Sequence, residues 1–119
     1  MFKEALQGVV DQIDGGMAGM LMDFEGIPLE MYARDEDFFD VEVVGAEASV
    51  LVKAIQRATE MLEAGTTQEV SFTSESLVTL IRVLDETYFI ALTLRPDANF
   101  GKARYLLRTV APKVLAELA

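Results

Sequence analysis

The sequence lacks the residues on which most catalytic and metal centres rely. It contains no cysteine and no histidine. Without cysteine there is neither a disulfide framework nor a thiolate nucleophile. Without histidine the commonest general base and the commonest metal ligand at neutral pH are missing. Because the sequence also has no Gly-rich phosphate loop and no nucleophile elbow, it predicts a protein with no catalytic residues, metal or cofactor of its own.

Basic residues and long apolar runs are also scarce. The formal net charge is −10, and residues 1–64 hold 14 of the 20 acids but only 4 of the 10 bases. Such a chain is poorly suited to neutralising phosphates, so we expect no nucleic-acid partner. No apolar run approaches the roughly 18–20 residues of a membrane span, and the N-terminus does not have the pattern of a signal peptide. The sequence therefore predicts a cytoplasmic protein without membrane insertion.

The apolar residues that are present predict one domain over residues 1–119. Their spacing gives the order α-β-β-α-β-β-β-α. The predicted helices are Phe2–Ile13, Val43–Ala64 and Ala98–Leu118, and the predicted strands are Met17–Phe24, Ile27–Ala33, Gln68–Ser74, Leu77–Leu84 and Thr87–Leu94. Two of these strands are apolar on both faces, which requires helices on both sides of the sheet. The expected fold class is therefore α+β, a five-stranded antiparallel sheet with helices on both faces.

Several single residues predict where elements end. Gly65 suits the left-handed residue after the central helix, and Asp97 suits the N-cap of the last helix. Pro28 lacks an N–H, so its strand is expected at a sheet edge. Pro112 lies inside the last helix and predicts a kink near residues 108–111. We also expect the acids of the first helix to lie near the bases of the last.

The segment Arg34–Glu42 is strongly acidic. It does not match a calcium loop, because Phe39 and Asp40 stand where that pattern requires Asp or Asn followed by Gly. The favoured interpretation is a solvated loop that precedes the central helix. Within it, the Phe38-Phe39 pair is expected to anchor the loop to the core.

The central helix has more apolar surface than one sheet contact needs. One stripe has core spacing and is expected to face the sheet: Val44, Ala48, Leu51, Ile55, Ala58 and Leu62. A second stripe is expected to meet a partner: Val43, Ala46, Val50, Ala54 and Met61. The alternative is a helix buried between two layers of its own domain.

The first hairpin, Asp23–Leu29 (DFEGIPL), carries a family resemblance together with Gly19, Gly101 and the order of elements. Over roughly residues 4–118 the chain resembles the Roadblock/dynein light chain 7 family, in particular a prokaryotic stand-alone member with the profilin-like Roadblock fold. Pro112 and the acidic loop have no counterpart in this resemblance. It implies a homodimer in which the central helices lie side by side and the third strands pair into one ten-stranded sheet. It also implies a small Ras-like GTPase as partner, docked on the paired helices.

Two sets of residues follow from the stripes and the resemblance together. The expected dimer interface consists of Val43, Ala46, Val50, Ala54, Met61, Val70 and Phe72. The expected partner-binding residues are Glu47, Lys53, Arg57 and Glu60. The favoured function is a non-enzymatic regulator or adaptor that binds the GTPase, with activation of its hydrolysis left open. The alternatives are a scaffold subunit without effect on nucleotide turnover and, ranked last, a small-molecule sensor.

Overall fold

The computed structural model describes residues 2–34 and 40–119. The helices are α1 (Phe2–Asp11), α2 (Val41–Met61) and α3 (Phe100–Leu118), and the strands are β1 (Gly16–Asp23), β2 (Pro28–Ala33), β3 (Glu69–Thr73), β4 (Val78–Val83) and β5 (Tyr88–Leu94). All neighbouring strands are antiparallel, in the order β2-β1-β5-β4-β3. The predicted fold class and element order are thus confirmed. The expected anchoring role of Phe38-Phe39 lies outside the described residues.

The core has two layers, one on each face of the sheet. On one face α1 and α3 pack together over the strands through residues such as Leu6, Val10 and Leu107. On the other face α2 covers a cluster that includes Met20, Met22 and Phe89. Alternate residues of the buried strands point to opposite layers, which explains why β1, β4 and β5 are apolar nearly throughout.

The Asp23 side chain closes the first hairpin. The Asp23 carboxylate accepts hydrogen bonds from the backbone N–H groups of Glu25, at 2.9 Å, and Ile27, at 3.0 Å. Gly26 has a φ of +87°, a conformation that favours glycine. Pro28 begins β2, which is an edge strand as predicted.

The N-cap of α3 and the C-terminal end of α2 differ from the predicted ones. Asn99, not Asp97, caps α3, and its side chain accepts a hydrogen bond from the Lys102 N–H at 3.0 Å. Helix α2 ends at Met61, before Gly65, because Glu63 adopts the left-handed conformation with φ +54°. The Glu63 and Ala64 N–H groups then bond back to carbonyls of the last turn, at 3.0 and 2.9 Å. Helix α3 runs as one element through Pro112, and the kink stays a prediction.

Of the acids near α1, Asp11 and Asp14 pair with residues outside α3, whereas Glu4 and Lys113 of α3 line one groove. Asp11 lies 3.7 Å from Arg34, and Asp14 lies 3.9 Å from Arg95, which precedes α3. Arg104 of α3 instead pairs with Glu69 of β3 at 3.1 Å. These pairs are solvent-exposed and contribute little stability individually.

Glu63 provides a test of the helix end. A non-glycine residue in the left-handed region costs roughly 1 kcal/mol, so Glu63→Gly is expected to raise the free energy of unfolding by about 0.5–1 kcal/mol in urea titrations. The matched control is Gly65→Ala. Gly65 also has a positive φ, of +87°, and an added Cβ there meets no atom within 4 Å. Gly65→Ala is expected to lower the free energy of unfolding by a similar amount. A lower free energy of unfolding in Glu63→Gly would contradict this account of the cap.

Two buried hydroxyls provide a second test. Thr79 and Thr93 lie opposite each other on β4 and β5, are at most 3% exposed, and have no hydrogen-bond partner for their Oγ1 atoms. An unsatisfied buried hydroxyl costs roughly 1–3 kcal/mol. Thr79→Val and Thr93→Val are therefore each expected to raise the urea midpoint, whereas Thr73→Val, at an exposed position, should leave it nearly unchanged. A lower midpoint for both buried variants would show that these hydroxyls are satisfied in solution.

Candidate functional site

The site is built on α2, whose Gly45 faces two methionines of β1. A Cβ added at Gly45 would stand 2.6 Å from the Met22 sulfur and 2.7 Å from the Met20 sulfur. Any larger residue there requires these side chains to move, and Ala48 and Ser49 extend the same buried face one turn further. The methionine side chains rise from β1 to fill the space that larger helix residues would otherwise occupy.

This close contact changes which residues of α2 face the sheet. Val44 and Ala48 of the first stripe do so, and Val52 continues the face. The assignment of the rest of that stripe to the sheet is wrong: Leu51 is 42% exposed, Ile55 40% and Leu62 75%, and Ala58 is exposed as well. The sequence pattern misled because it counted only apolar residues, whereas glycine and serine form part of the buried face. Gly45 beside Ala48 and Ser49, at helical spacing, was the signal that could have corrected it.

The second stripe lies at the surface. All five of its members are exposed, with Val50 at 61% and Met61 at 78%. Of the nine large hydrophobic side chains exposed in the described part of the chain, six belong to α2 or its C-cap. We call the exposed apolar surface of this helix the α2 face: Val43, Ala46, Val50, Leu51, Ala54, Ile55, Ala58, Met61 and Leu62. Exposed apolar patches of this kind mark interaction sites.

The four predicted partner-binding residues are also exposed, but they do not form one cluster. At 100° per residue, Lys53 and Glu60 lie along one border of the α2 face. Glu47 lies inside the α2 face, one turn after Val43 and one turn before Leu51. Viewed down the helix axis, Arg57 lies between Ala46 and Val50. Charged groups thus flank and interrupt the apolar surface, as at the rim of a protein–protein interface.

One flank of α2 is occupied by the sheet's own turns. Ser49 lies against Gly26, and the Thr59 hydroxyl is 2.8 Å from that of Thr67. Beyond them a groove of about 960 Å³ separates the end of α2 from the β4–β5 turn. Its walls include Glu60, Glu63, Asp85 and Glu86. No group of three or more acids within residues 2–34 and 40–119 is arranged to hold a metal ion.

The two predicted interface residues on β3 lie on the same side of the sheet as α2. Val70 packs against the cluster under α2, and Phe72 follows at the next position on that face; both are half-buried. Strand β3 is the edge strand next to the end of α2. The structure therefore brings the predicted dimer residues to one side of the molecule, on one helix and one sheet edge.

No helix among the described residues combines the length and the apolar character needed to cross a membrane. A scan against protein-family models and a search of the curated proteins both give no match. Solved structures do give matches. MglC from Myxococcus xanthus is 40% identical over 98% of both chains, with a TM-score of 0.71.

Two more distant structures share the fold. A Roadblock/LC7 domain from Streptomyces avermitilis superposes with a TM-score of 0.87 at 16% identity, covering 98% of this chain and 96% of that one. Profilin IA from Acanthamoeba castellanii does so with a TM-score of 0.65 at 7% identity, over 100% of both chains. The expected profilin-like architecture is thus confirmed, and the chain belongs to the Roadblock/LC7 family as a prokaryotic member.

Proposed function

We propose that this protein is a homodimeric regulator or adaptor that binds a small Ras-like GTPase and has no catalytic activity of its own. The observation that carries the proposal is the α2 face. Family membership supports it, because the resemblance implies a GTPase docked on paired central helices. The site therefore acts by binding, and any chemistry takes place on the partner.

The dimer uses the apolar part of this surface. Burying a large apolar side chain contributes roughly 1.5–3 kcal/mol, so the six exposed on α2 represent a substantial driving force for association. We assign to the interface Val43, Ala46, Val50, Ala54 and Met61 of α2, with Val70 and Phe72 of β3. The exposure of the five α2 side chains in a single copy supports a role between two copies.

The GTPase contacts the charged residues of the same helix. Glu47, Lys53, Arg57 and Glu60 carry both signs of charge and are exposed. Mixed charges at an interface set orientation and exclude wrong partners more than they add affinity. A scaffold subunit without effect on hydrolysis is the second candidate, and the same surface would serve it. The two differ only in what happens to the bound nucleotide.

Val50→Asp tests the dimer. Val50 is 61% exposed in one copy, so the folded protomer tolerates the change. An unpaired charge buried between two helices costs roughly 3–5 kcal/mol, so the dissociation constant is expected to rise by about a hundredfold or more. Light scattering across a dilution series measures it.

The matched control for Val50→Asp is Gln7→Asp, which adds the same charge at an exposed position of α1. The control is expected to dimerise like the parent protein. A Val50→Asp protein of unchanged dimer mass would show that Val50 lies outside the interface.

Arg57→Ala tests whether the protein activates its partner through an arginine. The assay follows GTP hydrolysis by the partner GTPase, with and without saturating amounts of this protein. As a solvent-exposed charge within the α2 face, Arg57 is expected to contribute at most about 1 kcal/mol of affinity. Its loss should weaken the complex about two- to fivefold and leave the saturated rate unchanged.

The size of the rate effect separates the possible roles. An arginine that stabilises the transition state contributes about 10³–10⁵ in rate, so a loss of that size would place Arg57 in the reaction centre. Complex formation without any change of rate in the parent protein would favour the scaffold. Failure to bind the GTPase at all would remove the proposal.

A further inference from the structure

Helix α3 carries a basic surface in a strongly acidic protein. It holds four bases and one acid, Glu117, whereas the net charge of the whole chain is −10. Three of the four bases are exposed: Lys102, Arg108 and Lys113. Because α1 and α3 pack on one face of the sheet and α2 covers the other, the sheet separates this charge from the α2 face.

The three exposed charges have no partner within the described parts of the chain. Among residues 2–34 and 40–119, the bases that form ion pairs are Arg34, Arg95 and Arg104. Lys102 also stands in the first turn of α3, where the helix dipole disfavours a cation, so its charge does not stabilise the helix. The positive charge of this surface is therefore available to a second molecule.

An exposed aromatic side chain stands among these charges. Tyr105 is 63% exposed and lies one helical turn from both Lys102 and Arg108. Together with Lys113 these residues extend over about 16 Å of helix. Tyrosine and arginine are enriched among the residues that contribute most binding energy at protein interfaces. We call these four residues the basic α3 face.

A groove between α1 and α3 borders the basic α3 face at Lys113. It has a volume of about 350 Å³. The apolar residues among its walls are Ala5, Val9, Leu106, Val110 and Val114. Gly8 keeps the groove open, because a Cβ added there would meet no atom within 4 Å. A groove of this size admits single apolar side chains and not a folded domain.

We infer that the basic α3 face docks an acidic segment of a partner protein, which places its carboxylates on Lys102, Arg108 and Lys113 and an apolar side chain in the groove. Charge complementarity selects this occupant. A nucleic acid or an anionic membrane extends beyond one helix and would meet the acids of the remaining surface, which repel phosphate. Because Glu4 and Glu117 also line the groove, the carboxylates of the segment are expected over the outer side of α3 and not over α1.

This docking surface is additional to the one in the proposed function. Since the sheet lies between α2 and α3, a GTPase on α2 and an acidic segment on α3 can be bound at the same time. The protein then links two partners that need not contact each other, which is what an adaptor requires.

Peptide binding tests the charged part of the surface. The probe is a fluorescein-labelled peptide of repeated Glu-Glu-Leu units, whose anisotropy is followed at low ionic strength, and a Gln-Gln-Leu peptide is expected to bind more weakly. Lys102→Gln, Arg108→Gln and Lys113→Gln should each raise the Kd of the acidic peptide about two- to fivefold, as for exposed ion pairs. Their triple combination should raise it about tenfold or more. Thr66→Glu, in the exposed loop after α2, changes the net charge as much as one glutamine variant and should leave the Kd nearly unchanged.

Gly8→Leu tests the groove without changing the charge. The position is open and leucine is a better helix former than glycine, so the variant is expected to fold with an unreduced urea midpoint. Its side chain fills the groove, so the Kd of the Glu-Glu-Leu peptide should rise about tenfold. Gln7→Leu adds the same side chain at an exposed position of α1 and should bind like the parent protein.

Four results would overturn the assignment of this surface to an acidic segment. They are failure of the acidic peptide to bind, an equal Kd for both peptides, a Kd that the triple variant leaves unchanged, and a Gly8→Leu protein that binds like Gln7→Leu. Tighter binding to phosphatidylserine vesicles or single-stranded DNA, lost in the triple variant, would assign the face to phosphate instead. A mass above the dimer that the triple variant removes would assign it to a second copy. None of these results affects GTPase docking on α2, because the variants leave that helix unchanged.

Discussion

The close contact between α2 and β1 is the constraint on which the rest of this structure depends. A Cβ added at Gly45 would stand within 2.7 Å of the Met20 and Met22 sulfurs, so the two methionine side chains would have to move. These methionines are at most 1% exposed and fill the layer between sheet and helix, where the helix presents small residues together with Val52. The large apolar residues of α2 lie outside this layer, on the exposed α2 face.

The same constraint explains why the fold was predictable from sequence while the faces of α2 were not. Strand alternation in Glu69–Thr73 and near-continuous apolar runs in β1 and β4 determine the layers directly, since each follows from a period of two. For α2 the apolar period of 3.6 was present twice, but neither stripe contains Gly45, Ser49 or Val52, which are buried on the sheet-facing side. A pattern that ranks residues by hydrophobicity gives no weight to a glycine that permits close approach.

The ends of the helices were missed for a related reason. Glu63 adopts φ +54° although glycine stands two residues later, and just beyond this end the Thr59 and Thr67 hydroxyls lie 2.8 Å apart. Asn99 rather than Asp97 caps α3, and the hydrogen bond from Ala98 N–H to the Arg95 carbonyl at 3.0 Å holds a turn before it. In both places residues of nearly equal local preference compete, and hydrophobic spacing does not select between them. The sequence predicts that Glu47 and Arg57 are exposed. It does not predict their placement inside the α2 face, because several residues of that face were assigned to the sheet.

The placement of those two charges bears on how one helix can serve two contacts. Helix α2 has 21 residues and is about 31 Å long, so in the proposed complex a second α2 and the partner protein share its exposed side. Isolated charges inside an apolar surface are costly to bury without a counter-charge. A surface that covers the middle of the helix must therefore supply opposite charge to Glu47 and Arg57, or leave these two groups in water. Purely apolar association of the α2 faces in arbitrary registers is therefore disfavoured. In the proposed homodimer each copy contributes one α2, so a partner that docks across both helices would recognise the assembled pair and not the single chain.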